Sequence, residues 1–211
     1  MHRAWAVLLS GAMSTCFAGR AAADVVCPDQ SYCIVNFATG KDRITIVPGG
    51  TGETFASAGI TIDVYLRHCD GRPYAGIPAQ EVMLYSSDLC ICPGGSFADA
   101  QTNLDGYTSF SGTLSAGGCA ENLSVYTEGI FIATIPVKTN SPDLLPASPC
   151  RADASDVSAV AALLGRADRY TACADWNESG PPTIDAGDLS YFASQFGAQC
   201  PPAASHPADG R

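Results

Sequence analysis

The chain has 211 residues, with 21 acidic side chains against 11 basic ones and a formal net charge of −10. Such a surface repels phosphate backbones and sets nucleic-acid binding aside; it suits cation binding or plain solubility. The length leaves room for one large domain or two small ones.

Residues 1–23 read as a secretory signal peptide. A basic start (His2, Arg3) leads into an apolar run over residues 4–12, and Ala21, Ala22 and Ala23 form a small-residue cleavage motif before Asp24. The apolar run is too short to cross a bilayer, and no later stretch has the length or purity of a membrane span. Losing Arg3 and Arg20 with the leader leaves nine basic residues and a net charge of −12. The expected destination is secreted, in the extracellular space or at the cell surface.

Residues 24–139 carry the alternation of strands. Strands are expected at 44–47, 60–66, 79–85, 107–110, 123–126 and 130–137, separated by turns at Pro48-Gly49-Gly50, Asp70-Gly71-Arg72-Pro73, Asn103-Leu104-Asp105-Gly106 and Glu128-Gly129. Residues 60–66 alternate apolar and polar side chains, the period of a half-buried strand. Many short strands between Gly, Pro and Asp turns predict a β-sandwich. Residues 139–149 are rich in Pro, Ser and Asn and are expected to be a linker, and residues 201–211 a disordered tail.

Residues 140–200 contain a duplication: 141–165 return, shifted by 32 positions, as 173–197. Asp143, Asp153, Asp156 and Gly165 correspond to Asp175, Asp185, Asp188 and Gly197. Each copy is an acidic loop followed by a short helix. Val157, Val160, Ala161 and Leu164 form one apolar stripe, and Leu189, Phe192, Ala193 and Phe196 form the other. Two such helices packed face to face predict one small core that needs metal or disulfide support. In the second loop Asp175, Asn177 and Ser179 alternate, and calcium asks for such oxygen-rich loops.

Nine cysteines follow the leader, at 27, 33, 69, 90, 92, 119, 150, 173 and 200. In an exported chain they form disulfides with one left over; the spacing of Cys90 and Cys92 fits no common zinc site. A Cys173–Cys200 bridge would close the second loop-helix unit. Catalytic signals are thin. His68 is the one histidine between the leader and the tail, without a nucleophile motif to accompany it, and Glu53, Asp63, Glu81, Asp88 and Asp99 are scattered. The expectation is a protein that is not an enzyme.

Two resemblances sharpen this reading. "CDGRPYAGIP" (69–78) with "TNLDGYTSFSG" (102–112) resembles the hairpin motifs of bacterial immunoglobulin-like domains, which implies an immunoglobulin-like β-sandwich over 24–139. "DWNESG" (175–180) with "IDAGDLSYFASQFG" (184–197) resembles the type I dockerin pattern, which implies a duplicated calcium-binding module that docks onto cohesin domains. By that resemblance the metal ligands are Asp175, Asn177, Ser179, Asp185 and Asp188, with a weaker first site at Asp143, Asp153 and Asp156. The chain departs from the dockerin pattern in three ways. Both loops are two residues longer, Ser179 replaces an aspartate, and Leu145 and Ala147 stand where the first loop needs ligands. The function implied is attachment to a cohesin-like or other surface protein. The alternative is a carbohydrate-binding accessory module of a polysaccharide-degrading system, with Tyr65, Tyr85 and Tyr107 as candidate contacts.

Overall fold

The computed structural model describes residues 25–145, 150–177 and 182–202. The expected leader, Ser179, Ala147 and all but the first two residues of the expected tail lie outside these. Among the described residues the chain is mainly β, with ten strands and two α-helices.

β1 (Tyr32–Phe37), β3 (Ile60–Tyr65) and β6 (Tyr107–Phe110) form one antiparallel sheet, in the order β1-β3-β6. β4 (Val82–Tyr85), β8 (Leu123–Thr127) and β9 (Ile130–Ile135) form a second, in the order β4-β8-β9. Strand alternation decides which face goes inside. In β3, Ile60, Ile62 and Val64 are fully buried, while Thr61, Asp63 and Tyr65 point away from the core. Val82 and Leu84 of β4 and Leu123 and Val125 of β8 join the same apolar cluster, so the two sheets share one core. The hairpin between β8 and β9 turns at Glu128 and Gly129, both with positive φ (49° and 77°), the conformation of a tight hairpin turn.

Two smaller sheets add Ile44, Leu89 and Ala116 to the same core. β5 (Leu89–Ile91) pairs with β7 (Ala116–Gly118), and β2 (Arg43–Thr45) pairs in parallel with β10 (Lys138–Asn140). Here the structure departs from the expected linker over 139–145; residues 146–149 of that expectation lie outside the described residues. Thr139, Asn140 and Ser141 are wholly buried, and Asp143 nearly so. The Thr139 amide donates to the Ala120 carbonyl (2.8 Å), while its hydroxyl accepts from the Ala120 amide (3.0 Å). Polar composition suggested a solvated segment, yet its backbone is paired with β2, Ala120 and Gly118, all remote in sequence.

Four disulfides tie the chain: Cys27–Cys69, Cys90–Cys150, Cys92–Cys200 and Cys119–Cys173. Cys33 is the free thiol among the described residues, and burial pushes it up to about 12. The Cys173–Cys200 bridge envisaged from sequence does not form. Each cysteine of residues 140–200 instead reaches a cysteine beside β5 or β7. Four bridges fit an oxidising environment, and no helix among the described residues is long and apolar enough to cross a membrane.

Candidate functional site

The duplicated segment folds as two copies of one unit. α1 (Ala154–Leu163) is capped by Asp153 and α2 (Ala186–Gln195) by Asp185. Each cap is reciprocal. The Asp153 carboxylate accepts from the Ser155 amide and the Asp156 carboxylate from the Asp153 amide (2.9 Å); Asp185 and Asp188 repeat the exchange (3.0 Å). Each helix ends at a glycine of positive φ, Gly165 (66°) or Gly197 (86°). Gly165 donates its amide to the Ile184 carbonyl (2.9 Å) and Gly197 donates to Ala152 (2.8 Å). Ala152 and Ile184 are also 32 positions apart, so the copies hold each other by the same bond made twice, as in a two-fold interface.

The core between the copies is small: Val160, Ala174, Trp176, Ile184 and Phe192, with Leu144, Leu163, Tyr170 and Tyr191 packed around them. This corrects the expected face-to-face stripes. Only the central position of each stripe, Val160 or Phe192, is buried. Val157 and Leu164 remain 38% and 42% exposed, and Leu189 and Phe196 39% and 54%. Loop residues fill the space instead. Trp176 lies 5.9 Å from Phe192 and 6.1 Å from Tyr191 between ring centroids, a contribution that helical periodicity does not reveal.

The sequence-predicted ligands fall into two groups. Asp156 and Asp188 are buried and face backbone amides. Asp156 accepts from the amides of Leu144 (2.9 Å) and Leu145 (3.0 Å). Asp188 accepts from those of Trp176 (2.7 Å) and Asn177 (3.1 Å). Asp143 and Asp175 are tied elsewhere: Asp143 accepts from the Arg151 amide (3.0 Å) and Asp175 from the Tyr170 hydroxyl (2.9 Å). Asn177 presents its amide nitrogen, not its oxygen, to Asp185 (3.1 Å). Burial and the neighbouring Asp156 charge raise Asp143 to about 6, while amide and hydroxyl donors from the first helical turn hold Asp153 and Asp185 below the usual carboxylate range.

Calcium asks for six to eight oxygens converging at roughly 2.4 Å. Among the described residues no three acidic side chains bring one oxygen each within 4.8 Å of one another; the cluster of ligand-type atoms at that spacing is the sulfurs of Cys92, Cys150 and Cys200, already spent in disulfides. The described acidic oxygens thus do not converge as a calcium site asks, and Ser179 lies outside the described residues.

The module is fixed to the β body at several points. Besides three disulfides, the buried Asn140 at the end of β10 donates its side-chain amide to the Asp175 carbonyl (2.9 Å), and Gly118 donates its amide to Asp143 (2.7 Å). Gly117 lies so close to the Asp143 side chain that a Cβ there would meet the Asp143 Cβ at 2.9 Å.

The aromatic candidates separate. Tyr65 stacks between Tyr32 (4.9 Å) and Tyr107 (5.3 Å) in a cross-strand ladder on the outer face of the β1-β3-β6 sheet, and the Tyr107 hydroxyl donates to Asp63 (2.9 Å). Tyr85 lies on the other sheet beside Tyr126. His68 packs on Tyr74, with ring centroids 4.4 Å apart.

No family model matches the chain, and no curated protein matches it. A crystal structure of the Lin-41 filamin domain aligns with 55% of this chain and 95% of its own length, at 17% identity and a TM-score of 0.30. A likeness at that level carries no argument.

Proposed function

We propose that this is a secreted attachment protein without catalysis of its own: an immunoglobulin-like β-sandwich carrying a dockerin-like module that docks onto a cohesin-like or other surface protein. One observation carries the reading. Val157 and Leu164 on the first copy, and Leu189 and Phe196 on the second, stay half exposed at positions related by the duplication. A repeat that served only as a spacer gains nothing from keeping equivalent apolar side chains in water on both copies, whereas a docking face uses them as anchors. Four disulfides suit the oxidising compartment that secretion implies. Binding of the chain to a panel of immobilised cohesin domains tests this. The expected result is measurable affinity, weakened at least about tenfold by Leu189→Asp with Phe196→Asp. Absence of binding across the panel, or binding indifferent to those changes, defeats it.

The tyrosine ladder favours a second reading, a carbohydrate-binding accessory module. Tyr32, Tyr65 and Tyr107 offer ring surface beside the hydrogen-bonding Asp63 and Ser109 on one sheet face. Pull-down with insoluble polysaccharides, lost on Tyr65→Ala but kept on Tyr85→Ala, would select it.

A further inference from the structure

We infer that the two loops are closed by their own aspartates, and that the repeat holds its fold without calcium. Asp156 and Asp188 stand where a calcium loop places its final carboxylate ligand. Each instead draws in three backbone amides of its own loop: Leu144, Leu145 and Asp153 for Asp156, and Trp176, Asn177 and Asp185 for Asp188. The two sets match position for position at the 32-residue shift, so the arrangement belongs to the repeat unit.

Chemistry sets the two roles against each other. In each aspartate one oxygen takes two amides at the loop entrance and the other takes the helix-capping residue. The positive ends of three N–H dipoles thus surround a carboxylate that is 1% exposed in one copy and not exposed in the other. Charge-assisted bonds of this kind do what a cation does in a calcium loop, pulling the loop entrance onto the first helical turn. Turning either carboxylate toward a metal would strand buried amides without an acceptor. The other acidic side chains are also engaged, Asp143 by Arg151 and Asp175 by Tyr170.

The inference concerns how the module is held, so its test needs no docking partner. The full oxidised chain is melted in chelator and in millimolar calcium chloride. A shift below about 1 °C is expected; a rise above about 5 °C, the scale of an occupied site far above its dissociation constant, overturns it. Asp188→Asn, which puts a donor where an acceptor is required, should lower the melting temperature by the same amount in both buffers. A loss confined to the calcium sample would overturn the inference. Should that variant not fold, hydrogen exchange on the unaltered chain decides. The amides of Leu144, Leu145, Trp176 and Asn177 should be protected in chelator, and protection gained only on adding calcium speaks against us.

Discussion

At the residue scale Asp143 shows how one carboxylate answers to its surroundings. It is buried beside β7, its carboxylate accepts from the Arg151 amide, and burial together with the charge of Asp156 raises it to about 6. A carboxyl whose folded value lies above its unfolded one contributes stability that is fully present below the ordinary 3.8 and lost as pH rises through about 6. Asp143→Asn keeps an acceptor for Arg151 and removes the charge. In chelator it should stabilise the chain by roughly 2 kcal/mol at pH 7, with the difference vanishing near pH 4. Denaturant melts of both proteins across that range check it; a difference that does not depend on pH would show that the charge is not what matters.

At the element scale the repeat is built from two short helices whose caps, rather than their faces, carry the architecture. α1 and α2 each bury one apolar side chain, and the shared core is completed from the loops by Trp176 and Ile184. Ile184 is fully buried, and its carbonyl receives the Gly165 amide from the other copy. Ile184→Ala should therefore cost about 3 kcal/mol, the range for deleting a packed aliphatic side chain. Leu189→Ala, on the exposed side of α2, should cost less than about 1 kcal/mol. Equal losses in chemical denaturation would contradict this division between a loop-supplied core and a solvent-facing helix.

At the scale of the whole molecule the module and the β body are stapled together. Cys90–Cys150, Cys92–Cys200 and Cys119–Cys173 join them across 60, 108 and 54 positions of sequence. Bridges closing loops of that length contribute on the order of 4 kcal/mol each when unstrained. The oxidised chain should melt as a single calorimetric transition. Two separate transitions in the oxidised chain would refute the coupling. Replacing Cys119 and Cys173 by serine should lower the transition without splitting off the β core.

Local pattern made much of this legible. Local pattern placed β3, β4, β6, β9 and all but the last residue of β8, because an exposed and a buried face impose a period of two on the residues themselves. The duplication and the glycine closing each copy were readable because the residues themselves repeat at a fixed shift, whereas the capping roles of Asp153 and Asp185 came only with the structure. β1, β5, β7 and β10 escaped, since their pairing rests on partners distant in sequence and, in Ala116–Gly118, on residues with little strand preference. The nine cysteines from Cys27 onward announced bridges and one spare thiol without saying which. That choice, like the burial of residues 139–143 and the turning of Asp156 and Asp188 onto amides, was made by tertiary structure. Distances between segments up to 108 positions apart are set only when the sheets close over a common core.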